Sequence, residues 1–216
     1  RPHDLVLDCS RVLAPHANEP SREPYMEAVH QARAALGPRA PVVAYVGSWH
    51  VHPLFVEAIA ERVRAALDRL PAGARVVFTA HSIPVTMAEQ SRYREQLEIS
   101  SRLVAREAGV SDWTLVYQSR SGRPGDPWLE PDVCDYLRQA RADGLRAAVL
   151  CPIGFVCDHV EVLYDLDREA ADVCAEVGLA MTRAESVNDD PLFLDMMADV
   201  VMTTIRRYEH GRPLPL

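Results

Sequence analysis

Residues 147–176 read AAVLCPIGFVCDHVEVLYDLDREAADVCAE, and a change of period inside them decides the fold. Ala147 to Cys157 is an uninterrupted apolar run, too short to cross a bilayer and right for a strand buried on both faces. From Asp158 onward Leu163, Leu166, Ala170, Val173, Cys174 and Val177 recur at three- and four-residue steps, one face of a helix. On the opposite face Asp158, Glu161, Asp165, Glu169, Asp172 and Glu176 follow at steps of three, four, four, three and four, which aligns their carboxylates. Like charges so spaced repel by roughly 0.2–0.5 kcal/mol per pair, and Arg168 offsets only part of this. For Asp172 and Glu176, far along the helix, a solvated acidic face explains the pattern. Glu161 is placed differently. It lies in the first turn beside His159, where a buried strand hands over to a helix, and that edge of a parallel α/β sheet is where ligands bind.

The composition narrows the remaining choices. A chain of 216 residues buries a full core and suits one α/β unit with additions. A formal charge of −8, from 31 acidic against 23 basic residues, argues against a nucleic-acid binder and favours attraction of cations. The five cysteines, at 9, 134, 151, 157 and 174, form no CxxC pair and sit in apolar segments, the pattern of buried reduced thiols in a cytoplasmic protein. No signal peptide or spanning segment is evident, so at most peripheral membrane association is expected, and a monomer. The chain opens with Arg1 instead of Met, which reads as a fragment or processed product.

Taken in order, the pattern predicts a short strand at 5–7, a loop from Ala14 to Pro24, and a helix over 25–36. Residues 41–49, PVVAYVGSW, predict a buried strand, and Pro53 opens the following helix. Strands RVVFTAH (75–81), WTLVYQS (113–119), Ala147–Phe155 and LAMTR (179–183) alternate with helices near 87–108, 131–142, 158–177 and 191–208, the last capped by Asp190. Strand starts about 32–39 residues apart match a strand plus a returning helix. The expected architecture is a parallel sheet flanked by helices on both faces.

The carboxyl ends of those strands collect along one edge. His81 and Glu161 come from separate strand ends and converge there on this reading; imidazole plus carboxylate suits a borderline divalent metal such as Fe²⁺ better than a closed four-ligand zinc site. A histidine at a strand end also has a purely structural reading, as a hydrogen-bonded residue. His50 and His52 form an HxH pair without a sequence partner, read as structural or rim residues.

Four segments then add a resemblance. VVFTAHSIP resembles the AHSLP motif of ferrochelatases, GSWHVHPLFVEA their SW..P.F segment, VYQSRSGRPGDPWLEPDV their QS....DPWLGPDV segment, and PIGFVCDHVEVLYDLD their P.GF..DH.EVLYD signature. They stand in the family's order from about residue 42 to residue 169. The resemblance implies a chelatase fold of two α/β halves with a porphyrin cleft between them. Here residues 41–216 would be the complete C-terminal half, and residues 1–40 part of the N-terminal half and its junction. It further implies insertion of Fe²⁺ into a porphyrin, with His81 and Glu161 as the metal-binding and proton-accepting pair. Asp165 and Glu169 would pass metal inward, and Tyr25 would contact porphyrin; Trp49 and Phe155, aromatic residues near the strand ends, are expected to flank the macrocycle, with Ser119 as a further substrate contact. Glu130 stands where the family usually has Gly. No cysteine follows Cys174, so no iron–sulfur cluster is expected. Family chains are also much longer, the shortfall being the N-terminal wall of the cleft.

Metallation requires Fe²⁺ to shed water and two pyrrole protons to leave. A neutral imidazole takes a proton or holds the ion near neutral pH, and a carboxylate does either, so the sequence leaves the division between His81 and Glu161 open. Trp128 is expected to pack a loop against its own helix. The substrate stays open between coproporphyrin III and protoporphyrin IX. Two other functions fit a half-length chain: a non-catalytic porphyrin- or haem-binding module, and a chelatase for another metal or tetrapyrrole.

Overall fold

The structure, a computed structural model, describes residues 5–8, 19–123 and 125–209, with side chains from residue 26 on. Its centre is a four-stranded, all-parallel sheet in the order β4-β3-β5-β6, built from β3 (Arg75–His81), β4 (Trp113–Gln118), β5 (Ala147–Cys151) and β6 (Ala180–Arg183). All five residues of β5 are buried, because helices cover both faces of this strand. Side chains alternate as the pleat requires. Val76, Phe78, Val149 and Cys151 join one apolar cluster, Val77, Ala148 and Leu150 the other.

The first cluster lies under α2 (Pro53–Leu67), α4 (Tyr93–Glu107) and α8 (Pro191–Glu209), contributing Phe55, Val63, Leu97, Val104, Phe193 and Met196. The second lies under α5 (Val133–Ala142) and a composite helix of α6 (Val160–Tyr164), a π-helical turn (Asp165–Ala170) and α7 (Ala171–Val177). Helix ends follow their caps. Asp132 accepts from the Cys134 and Asp135 amides at 2.8 and 3.4 Å, Asp190 from Leu192 and Phe193 at 2.8 and 3.3 Å, and Gly178 closes α7 in the left-handed region, as expected where only glycine escapes the Cβ clash.

Several sequence expectations are corrected. Val42–Tyr45 (β2) is not part of the main sheet. It pairs in parallel with Leu5–Asp8 (β1) in a separate two-stranded sheet, and its residues are half-buried, a distinction that an apolar run cannot carry. The first helix, α1, begins at Glu19 and takes in Pro20 and Pro24. Pro20, second in the helix, forgoes no backbone bond, whereas Pro24, sixth, forgoes one. The helix expected over 87–108 is two, Val85–Glu89 (α3) and α4. The helix after β5 is not continuous α. With a π turn inside it, Val162, Leu166 and Ala170 face inward while Leu163 is 42% exposed, since a wider turn advances the buried face by more than 3.6 residues. Among the described residues no helix is long and apolar enough to cross a membrane.

The cysteines also divide. Cys151 and Cys174 are buried and Cys134 half-buried, but Cys157 is exposed, because β5 ends at Cys151 and the turn after it buries Ile153 and Val156 while residue 157 faces outward; Cys9 lies outside the described residues. Burial pushes the Cys151 thiol up to about 12 and Cys174 up to about 11, so both stay protonated at neutral pH. Alkylation at neutral pH is therefore expected to label Cys157 and to spare Cys151 and Cys174 until the chain unfolds; peptide mapping after labelling with and without denaturant checks this.

One contact sets how closely the turn after β5 approaches β3. The Gly154 amide donates to the Thr79 carbonyl at 3.1 Å, and a Cβ at 154 would lie 2.8 Å from the Ala80 Cβ and 2.9 Å from its Cα. Gly154→Ala forces the turn away from the strand. It is expected to lower stability by about 1–3 kcal/mol, the cost of overpacking a tight site, read as a shift in the urea unfolding midpoint.

Candidate functional site

The connections leaving β3 and β5 diverge. From β3 the chain runs through α4 on one face to β4; from β5 it runs through α6 and α7 on the other face to β6. Adjacent strands whose exits part in this way leave a crevice at their carboxyl ends. His81 closes β3, and Glu161 lies in the first turn of α6.

His81 is held from behind. The Tyr93 hydroxyl donates to its carbonyl at 3.0 Å, and its ring Nδ1 meets the Ser82 carbonyl. A carbonyl only accepts, so Nδ1 carries the proton and in the neutral ring Nε2 presents its lone pair to the crevice. Ser82 is itself fixed, its amide donating to the Gln118 carbonyl at 2.7 Å and its hydroxyl to the Leu129 carbonyl at 2.9 Å.

Across the crevice His159 caps α6, its Nδ1 accepting from the Glu161 amide at 3.2 Å. The Glu161 carboxylate lies 3.6 Å from His81 Nε2 and 3.9 Å from His159 Nδ1. The His81, Glu161 and His159 side chains are 33%, 45% and 36% exposed, open to the solvent on the crevice side. A separation of 3.6 Å exceeds a direct hydrogen bond. It is the span of two metal–ligand bonds of about 2.1 Å meeting at about 120°. Among the described residues no cluster of three or more His, Cys, Asp and Glu closes around one point, so a metal on this pair keeps most of its positions for other ligands.

One helical turn on, Asp165 accepts from the Ser119 hydroxyl and from Gln118 Nε2, the latter at 3.4 Å. Ser119 reaches it from a left-handed backbone, φ 60°, uncommon for serine. Glu169 is exposed. Asp165 and Glu169, with Ser119, Asp132, Cys134 and Arg138, line a cavity of about 340 Å³. Burial, then the Asp132 charge, pushes the Cys134 thiol up to about 12, so the cavity wall carries a thiol and not a thiolate. Among the described residues neither Glu161, Asp165 nor Glu169 pairs with an arginine or lysine.

The other expected substrate contacts are distributed differently. Trp49 is 3% exposed, edge-on to Phe55 at 4.9 Å and to Phe193 at 5.7 Å; it is a core side chain with no ring face free in this structure. Phe155 is half-buried with its ring 5.0 Å from that of His159, beside the pair. The Tyr25 side chain lies outside the described ones. His52 caps α2, accepting from the Leu54 amide at 3.3 Å, and contacts Asp199 at 3.2 Å. His50 is buried against Ser48 and Ser100, and that burial holds its pKa below the usual value. Both are structural. Trp128 lies against Gly122 and bridges Pro84, packing its own loop.

Sequence reasoning missed Tyr93, Arg183 and Asn188. Arg183 joins Asp158 at 2.8 Å and Asp167 at 2.6 Å, and Asn188 holds Asp158 from the other side. No local pattern marks them, since each acts across 12 to 30 residues of chain. The sequence pattern also buried Leu163. Val160, Leu163 and Tyr164 are 76%, 42% and 57% exposed, an apolar surface next to Glu161.

Comparison with known proteins gives the family. The ferrochelatase family model matches residues 10–205. The chain is 44% identical over 189 residues to a coproporphyrin III ferrochelatase of Nocardia farcinica, covering 82% of this chain and 54% of that protein. It is 47% identical over 172 residues to the one from Mycobacterium ulcerans, covering 78% and 51%. A ferrochelatase of Rhodopirellula baltica is 48% identical over 181 residues, covering 82% and 52%. The chain thus spans about half the length of these relatives. In fold it is similar to SirB from Bacillus subtilis with Fe³⁺, TM-score 0.71 at 13% identity, covering 99% of this chain and 76% of that one. The sheet, the crevice at its switch point and the matched sequence agree: the chain belongs to the ferrochelatase family.

Proposed function

We propose that this chain carries the metal-handling side of an enzyme that inserts Fe²⁺ into a porphyrin, with coproporphyrin III, the macrocycle in its relatives' names, as substrate. The observation that carries the reading is His81 Nε2 facing the Glu161 carboxylate at 3.6 Å across the switch point of the sheet. The Nε2 lone pair and the carboxylate together replace water on the incoming ion, and once the metal moves on to the macrocycle the same two groups take the pyrrole protons. Asp165 and Glu169, one and two turns along the same helix and free of cationic partners among the described residues, hold the ion beforehand at lower affinity. The exposed Val160, Leu163 and Tyr164 offer apolar area beside the pair to a flat ring, since ligand sites are mostly apolar with a few placed polar groups.

Anaerobic Fe²⁺ insertion into coproporphyrin III and protoporphyrin IX tests the proposal. His81→Ala and Glu161→Gln are each expected to lower kcat by about 10²-fold or more, the usual loss for a proton-transfer or charge-stabilising group. Thermal unfolding should shift little, both side chains being substantially exposed. Activity that survives either substitution overturns the assignment of the pair; porphyrin bound tightly but never metallated makes the protein a binding module.

A further inference from the structure

Arg183 meets the chain just before the helix of Glu161 and again inside its π turn. Arg183 ends β6, its side chain only 12% exposed. Its Nη1 donates to Asp158 Oδ1 at 2.8 Å, and its Nε and Nη2 donate to the two oxygens of Asp167 at 2.6 and 3.0 Å. Asp158 immediately precedes the helix cap, and Asp167 lies within the π turn. One guanidinium thus grips the chain on both sides of Glu161.

The grip is backed up on each side. Asn188, in a left-handed conformation at φ 48°, accepts from the Asp158 amide and donates to its carboxylate, both at 3.0 Å, and its own amide donates to the Val156 carbonyl at 2.9 Å. Behind Asn188, Arg62 of α2 donates to the carbonyls of Ser186 and Val187 at 3.0 and 3.2 Å and to Asp190 at 3.1 Å. From the opposite edge of the sheet, Ser119 and Gln118 draw in Asp165. Asp165 and Asp167, two residues apart and so on opposite sides of the helix, are therefore tied to different strands, β4 and β6, and both ties bear on the π turn that contains them. Burial opposes ionisation of Asp158, yet the Asn188 hydrogen bond and the Arg183 charge outweigh it and hold its carboxyl below the usual range. That stabilisation is present at neutral pH and lost as the pH falls through the lowered value.

We propose that Arg183 is a positioning residue. By gripping Asp158 and Asp167 it keeps the turn in π geometry, with Glu161 facing His81 and Asp165 facing the acidic cavity, and so sets the affinity for the incoming metal without touching metal or porphyrin. This rests on the function proposed above. A lysine cannot replace it, because one ammonium lacks the planar fork that serves two carboxylates at once.

The test uses Arg183→Lys and Asp167→Asn; Asp167 is well exposed, so the second variant leaves the core intact. Two measurements apply to each: amide hydrogen exchange over residues 160–170 with α8 as internal reference, and steady-state metallation with Fe²⁺ and porphyrin varied separately. Exchange across the π turn should quicken about tenfold with α8 unchanged, as for local opening of one cooperative segment. KM for Fe²⁺ should rise about tenfold with KM for porphyrin constant, as when binding-state geometry alone is lost. Unchanged exchange, or a rise of both KM values together, overturns the proposal. If the unaltered protein metallates nothing, the functional reading falls, and the exchange measurement still decides the grip in either direction.

Discussion

The close approach of the turn after β5 to the end of β3 is the constraint on which the site depends. It is made where the Gly154 amide meets the Thr79 carbonyl and no Cβ fits against Ala80. Through it the chain leaves one buried strand, folds over the end of its neighbour, and starts a helix whose first turn points at His81. A methyl group at that position would open a gap between two groups now 3.6 Å apart, and metal chemistry tolerates little slack in the spacing of its ligands.

Around that contact, polar groups are divided between holding and acting. Tyr93, Ser82, His159, Arg183 and Asn188 spend their hydrogen bonds on backbone or on carboxylates that must not move. His81 Nε2 and Glu161 keep theirs for the crevice. Supporting groups fixed in this way place those two side chains beforehand, which on the proposed function spares reorganisation when an ion binds.

Acidic charge is managed in the same manner. A single-sign row on a regular helix would be uniformly unfavourable. Here the row falls into unlike environments: Asp158 pairs with Arg183, which also holds Asp167 beside the row, Asp165 is drawn in by Ser119, and Glu169 remains exposed. What looks like one stripe in the sequence holds one carboxylate tied into the fold by an arginine, one hydrogen-bonded from β4, and others open to solvent.

The sequence by itself determined the parallel α/β class, strands at 75–81, 113–119, 147–155 and 179–183 that the fold shortens to 75–81, 113–118, 147–151 and 180–183, the cap at Asp190, and the candidacy of His81 and Glu161. Each of these follows from local rules, namely period, length and the types of residue at strand ends. Tertiary structure decided the rest. It moved Val42–Tyr45 into a sheet with Leu5–Asp8, because pairing partners are chosen by the whole chain and not by a strand's own apolar content. It buried Trp49 between Phe55 and Phe193, which no spacing of aromatics reveals. It turned Leu163 outward, just ahead of a π turn whose Asp167 and Asp165 are held by Arg183 and Ser119, residues 16 and 46 positions away. Helical period is a property of neighbours along the chain, whereas contacts over such distances exist only in the folded molecule.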